Sequence, residues 1–199
     1  MAYSDFKTFD ILNSKFPITI SSDSLFADIS RVEQSAFLVE TLAENIPLAL
    51  SISTEKARSE LMVMPILVEV RKQLNRQISL FSGVEFTVDT SMGLSGYCDY
   101  ILSRSSIQIF IDAPVVCMVE AKNLDLSKAY PQCIAEMIAA QRFNAEKSNE
   151  IETIWGAVTT GSNWRFIRLI GYDVTIDFDE YLISQIDKIL GIFQHILET

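Results

Sequence analysis

In the stretch VVCMVEAKN, residues 115–123, an apolar run ends on Glu120 and Lys122 with only Ala121 between them. Alternate residues of a strand share a face, so the acid and the base stand side by side while Ala121 points the other way. In the preceding apolar segment GYCDYIL, Asp99 breaks the pattern in the same manner, and antiparallel pairing of the two segments would set it opposite Glu120. Two carboxylates held close together repel unless a cation lies between them. Oxygen donors of this kind suit Mg²⁺, which keeps several waters and takes one or two carboxylates together with a substrate phosphate. Lys122 would then stand beside the metal-bound water, where an ammonium orients or helps deprotonate it and stabilises charge developing on a phosphate.

The elements that must position these residues follow from punctuation and periodicity. A short strand is expected around FPITI (16–20), and a helix over 28–45, ended by Asn45-Ile46-Pro47. A second helix fits 54–76, with Thr54 as its cap, Glu55 in its first turn, basic residues at its end and a kink at Pro65. Three strands are expected within 80–89, 96–105 and 115–123, then an alanine-rich helix over 127–147. Two further strands lie within 153–171, joined by a Gly-Ser-Asn turn, and a last helix repeats Ile and Leu over 179–198. Helices, a strand meander, a crossover helix and more strands describe an α/β sandwich around a mixed sheet.

Composition bounds the function. The chain has 199 residues, 49% of them hydrophobic, which is ample for one substantial core. The formal charge of −10 disfavours non-specific attraction to a phosphate backbone, so a nucleic-acid function needs a local basic patch. Residues 1–54 sum to −4 and 171–199 to −5, whereas 55–76 sum to +2. Neither a spanning apolar segment nor a signal peptide is expected, which points to the cytoplasm and away from membranes. Cys98, Cys117 and Cys133 lack metal-ligand spacing and lie in apolar settings, so they read as small core residues, and the lone His195 has no partner motif.

The constellation of Asp99 with Glu120-Ala121-Lys122 resembles the PD-(D/E)XK nuclease superfamily, in which an acid on the second core strand precedes a Glu/Asp-X-Lys on the third. The resemblance runs from about Glu55 to Leu169. It is nearest to the N-terminal nuclease domains of type I restriction subunits and related small bacterial proteins, which the 54–67 helix and the VTTGSNWRFIRL hairpin also resemble. Cys98 stands where the proline of the motif would be, and Glu136 stands where some relatives carry the tyrosine of a Gln-X-X-X-Tyr motif begun by Gln132.

The resemblance implies a restriction-endonuclease-like α/β/α sandwich as a single domain: a strand and helix extension over 1–53, the core over 54–171, and a strand and helix over 172–199. It implies a Mg²⁺-dependent nuclease, with Mn²⁺ as a substitute, that hydrolyses phosphodiester bonds in nucleic acid, DNA being the expected form. The setting would be restriction or defence, repair, or mobile elements. Asp99, Glu120 and the backbone carbonyl of Ala121 would hold the metal and Lys122 would activate water. Glu60, with Glu55 as its alternative, and Gln132, with Gln141 as its alternative, would support the site. Arg104, Lys128, Arg142, Arg165 and Arg168 would meet the nucleic-acid backbone. The net charge favours a rival from another class, the same fold serving as a non-catalytic or partner-dependent binding module. The C-terminal helix carries more Ile and Leu than one buried face needs, so it is expected to join a homodimer or a protein partner.

Overall fold

The fold is seen in a computed structural model that describes residues 1–149 and 151–199. Thr8, Ser35 and Thr54 each start a helix by one device, a hydroxyl that accepts the N–H three residues on, at 3.3 Å from Ile11, 3.3 Å from Leu38 and 3.1 Å from Ala57. The helices are α1 (Phe9–Asn13), α2 (Ala36–Ile52) and α3 (Glu55–Arg58), with strand β1 (Thr19–Asp23) between the first two.

Helix α2 starts later than the sequence suggests and runs through Pro47 instead of ending before it. Its start is fixed by the Glu69 carboxylate, which accepts from the Ser35 backbone N–H at 3.1 Å and from its hydroxyl at 2.8 Å. The kink expected at Pro65 takes the form of a π-helical turn, Ser59–Val63, between α3 and helix α4 (Met64–Gln73). Proline has no N–H for the Leu61 carbonyl, and that oxygen accepts instead from the Asn45 side-chain amide at 2.9 Å. One hydrogen bond thus ties α2, beside its own proline, to the place where α4 loses a backbone partner.

The remaining strands are β2 (Ser79–Glu85), β3 (Tyr97–Ser103), β4 (Val115–Ala121), β5 (Thr153–Thr159), β6 (Asn163–Ile170), β7 (Asp173–Asp177) and the short β8 (Tyr181–Leu182). Helix α5 (Ala129–Glu146) lies between β4 and β5, and α6 (Ile186–Glu198) closes the chain. All strands share one mixed eight-stranded sheet in the order β1-β7-β6-β5-β4-β3-β2, with β8 beside β6. The pairs β4–β5 and β1–β7 are parallel and the others antiparallel, so the protein is of the α/β class. Because β1 pairs with β7, the N-terminal strand completes the same sheet.

Helix α5 packs on β4 and β5 from one face, where Met118, Val158 and Ile167 meet Ile134, Met137 and Ile138. On the other face α4 and α6 cover Val119, Leu102, Trp164 and Phe166 with Ile66, Ile189 and Phe193. Every residue of β4 is buried, as expected for a central strand covered on both faces. Cys98, Cys117 and Cys133 are free and buried. Among the described residues no helix is long and apolar enough to cross a membrane.

The apolar excess of α6 is taken up within the chain. Ile186, Ile189, Leu190, Ile192, Phe193, Ile196 and Leu197 are all buried within the chain. The segment before α2, expected to be helical from residue 28, instead crosses the outer side of α6 as irregular chain. Lys188 donates to the carbonyls of Ala27 and Ile29, and the Val32 N–H donates to the Asp187 carbonyl at 2.9 Å. A helix covered on two sides uses its second apolar stripe internally. Gly191 is what allows the strap so close: a Cβ there would run into the Ser30 carbonyl oxygen. Gly191→Ala gains about 1 kcal/mol in helix propensity, but displacing backbone outweighs this. The expected net loss is about 1–2 kcal/mol, read as a lower urea midpoint at unchanged slope.

Candidate functional site

Strands β3 and β4 pair as far as Tyr100 and Val119, and one residue beyond that pair the side chains of Asp99 and Glu120 come within reach of each other. At this point the ladder gives way to a side chain. The Ala121 N–H donates to Asp99 Oδ2 at 2.8 Å, so a carboxylate occupies the place of a strand carbonyl and fixes Asp99 across from Glu120. Lys122 is held from the other side, its N–H donating to the Thr159 carbonyl at 2.8 Å.

Glu120 is only 1% exposed. Its Oε1 forms a close ion pair with Lys122 Nζ, and its Oε2 is buried without a partner. Lys122 Nζ also lies 4.0 Å from Glu55 Oε1. Behind this group α5 presents a residue the sequence reading passed over. Glu136 is fully buried, its Oε1 accepts from Gln132 Nε2 at 3.1 Å, and its Oε2 has no partner. Glu136 is the sole charged residue of AYPQCIAEMIAAQ, residues 129–141. A lone acid in an apolar helix face was the available signal, hidden because the position was compared with a tyrosine motif.

Burial sets the electrostatics. It pushes the Glu120 carboxyl up to about 8, helped by the Asp99 charge and opposed by Lys122. It raises Glu136 well above the carboxylate range, with Glu120 adding to the shift. Asp99 is raised by burial against the pull of the Ala121 N–H and Lys122. For Lys122, burial works against the ammonium, but Glu120 and then Glu55 and Asp99 outweigh it and hold the group above its ordinary value. Three carboxyl groups thus surround one lysine in a place that cannot keep all three ionised without further positive charge.

A cleft of about 250 Å³ opens on this group, lined by Glu55, Ser59, Glu60, Asp99, Tyr100 and Ala121 among others. Both glutamates of the first core helix therefore reach its wall. Glu60 ion-pairs with Lys56 at 3.3 Å, whereas Glu55 is the one that approaches Lys122. Gln132 joins the buried group through Glu136. Gln141 does not: with its amide oxygen and nitrogen exchanged, it pairs with the Gly171 N–H at 3.0 Å and carbonyl at 3.1 Å.

The expected basic patch is not gathered at the site. Arg104 follows the far end of β3 and donates to the Ile196 carbonyl at 3.0 Å. Arg142 pairs with Asp89 at 2.7 Å and lies over the Phe16 ring. Arg168 sits opposite Trp155 and approaches Thr175 at 3.4 Å. Alternation along β3 and β6 and the length of α5 carry these three away from Lys122. Lys128 and Arg165 stay at the site end, Arg165 opposite Val158, itself the partner of Glu120. Trp164 is fully buried and donates to the Gly161 carbonyl, so it is a core residue and not a stacking platform.

The donor set fits a small hard cation in one respect and is incomplete in another. Asp99 and Ala121 line the cleft, and behind them Glu120 Oε2 is a buried oxygen with no partner. Among the described residues, no three His, Cys, Asp or Glu side chains are arranged to hold a metal, so water and substrate oxygens would supply the remaining positions. No protein-family model matches the chain, and no curated protein is similar enough in sequence to count as a relative.

The buried carboxyl pair makes stability depend on pH. A carboxyl whose folded pKa is raised contributes fully below its unfolded value, 4.5, and its contribution is lost as pH rises through about 8. Without added metal, the thermal midpoint should therefore fall across that window. Glu136→Gln removes a carboxyl that the fold must keep protonated or bury ionised, and should raise stability by about 1–2 kcal/mol at pH 8 while changing little at pH 4.5. Thermal melts of both proteins across this range check it.

Proposed function

We propose that the protein is a Mg²⁺-dependent nuclease of the cytoplasm, with a restriction-endonuclease-like fold, acting on nucleic acid and on DNA first. The observation that carries this reading is the convergence of Asp99, Glu120 and Lys122 at one sheet end, with Glu120 Oε2 buried and unpartnered. Asp99 Oδ1, Glu120 Oε2 and the Ala121 carbonyl are the oxygens that would hold the cation. A bound Mg²⁺ lowers the pKa of water and neutralises charge on a phosphate. Lys122 would align the attacking water and stabilise the phosphate oxygens by its ammonium. Glu55, close to Lys122, keeps the lysine charged and aimed at the cleft. Three free buried cysteines suit a reducing compartment.

The net charge of −10 and the dispersal of Arg104, Arg142 and Arg168 favour a second reading, a binding module in which the Glu120–Lys122 ion pair stays closed. Metal separates the two. On the nuclease reading, Mg²⁺ or Mn²⁺ raises the thermal midpoint of the wild type and of Lys122→Ala, but not of Asp99→Ala. Cleavage of plasmid, linear, single-stranded or branched DNA, or of RNA, falls about 10²–10⁴-fold in Lys122→Ala and disappears in Asp99→Ala. A wild type that binds metal and cuts nothing supports the module, and a Lys122→Ala protein that cuts as well as wild type sinks the mechanism.

A further inference from the structure

Arg58 closes α3 and is 9% exposed, yet no carboxylate among the described residues pairs with it. Its Nη1 donates to the Thr160 carbonyl at 3.2 Å and to Ser162 Oγ at 3.3 Å, and its Nε is buried without a partner. Neutral acceptors satisfy part of the hydrogen-bonding capacity of a guanidinium but leave its charge uncompensated. A buried cation without a counter-ion is costly, and its presence calls for an anion from outside the chain.

Arg58 lies on the wall of a groove of about 570 Å³ that begins at Asn123, the residue after Lys122, and is lined also by Ser127, Tyr130, Ser162 and Arg165. The 18-residue helix α5 starts at this groove, continuing a 3-10 turn over Leu126–Lys128 that Asp125 caps, so the positive end of its dipole lies on this side. The two acids on the wall are already engaged. Asp125 accepts from the Ser127 N–H at 3.0 Å and hydroxyl at 2.6 Å, and Glu180 accepts from Arg165 Nε at 3.2 Å and from the Asn163 amide. The groove therefore holds one buried guanidinium in need of charge, the Ser162 hydroxyl beside it, and an open side.

We infer that this groove binds a phosphate of the nucleic-acid strand next to the one presented to Lys122, with Arg58 as its main partner and Arg165 and the α5 N-terminus assisting. That the phosphate belongs to a strand rests on the nuclease reading; that the groove takes a phosphate anion does not. The planar fork of arginine suits phosphate oxygens, and on a chain of charge −10 a built site must do what general attraction cannot.

The test is binding of fluorescein-labelled single-stranded and duplex DNA 12-mers by anisotropy in EDTA, where no cleavage intervenes, at low and moderate salt. Arg58→Met should keep or raise the thermal midpoint, because a buried lone charge is replaced by an apolar stem. It should weaken DNA binding at least tenfold and lower the salt slope by about one. Arg165→Gln, at a half-exposed position, should weaken binding severalfold, and Arg104→Gln, at the far end of the sheet, should leave it unchanged. A folded Arg58→Met protein that binds DNA as wild type does would overturn the inference. If that variant does not fold, Arg165→Gln binding equal to wild type would do so.

A second arm uses inorganic phosphate as a stabiliser in thermal melts, with protection expected in wild type and lost in Arg58→Met. Protection by phosphate without DNA binding would overturn the assignment to a strand. DNA held through Arg58 but never cut in Mg²⁺ supports the groove while the nuclease reading fails. DNA cut equally well with and without Arg58 does the reverse.

Discussion

The burial of Glu120 in the middle of the sheet is the constraint around which the site end of this protein is arranged. Removing a carboxylate from water costs several kcal/mol unless charge or hydrogen bonds replace the lost solvation. Glu120 has β3 on one side, β5 on the other and α5 above, so water cannot do it. Lys122 compensates one oxygen, and the other has nothing. The nearest further groups, Asp99 and Glu136, carry the same sign when ionised and make matters worse. A sheet that merely needed filling would carry Val or Met here. The chain instead concentrates acids where its packing is tightest, a departure from local consistency of the kind that functional sites show.

The topology explains why the task falls at this end of the sheet. β4 and β5 are parallel neighbours joined through α5, and the C-terminal ends of both strands meet where Lys122 donates to Thr159. In open α/β sheets ligands collect outside the carboxyl ends of the strands, because that is where the following loops and helix N-termini point. The same crossover delivers Gln132 and Glu136 from above and the start of α5 from the side. From the other face, the π-turn before α4 and the short α3 bring Glu55, Glu60 and Arg58 to the edge. Pro65 thus has a structural role beyond a bend. The wider turn it enforces contributes to where α3 sits relative to the strand ends.

Much of this was legible in the sequence because it rests on local rules. The strands 115–123, 96–105 and 153–171 announced themselves by apolar runs and turn residues, and Thr54 announced its helix by a hydroxyl before a periodic segment. The charged interruptions Asp99, Glu120 and Lys122 stood out for the same reason. What was not legible depended on tertiary partners. Residues 28–34 have helical composition, but the chain there is drawn over α6 by Lys188 and Asp187, groups far away in sequence. That strap also accounts for the second apolar stripe of α6, which no single-helix pattern could assign. Arg104 and Arg142 were plausible phosphate partners by type, but their direction is set by α6 and by Asp89. Arg58 was missed because only burial separates it from ordinary helix-surface charges, whereas Glu136 stood out as the lone acid of an apolar helix but was weighed only against a tyrosine motif.

On the nuclease reading, the distribution of charge reconciles an acidic chain with an anionic substrate. Most of the excess lies in residues 1–54 and 171–199, while residues 55–76 are net positive. Within that basic segment Arg71 donates to the Ile78 carbonyl and Lys72 faces Glu69, at the end of α4 that lies away from α3. At the opposite end Lys56 pairs with Glu60, and Arg58 is left on the wall of the groove that begins after Lys122. The long-range field of the whole molecule is screened within about 8 Å at physiological salt, whereas a buried guanidinium is screened less. Net charge therefore governs how often an anion approaches, and buried local charge governs whether it stays. For this protein the two have opposite signs, which favours a substrate held at a few built positions over one gathered by general attraction.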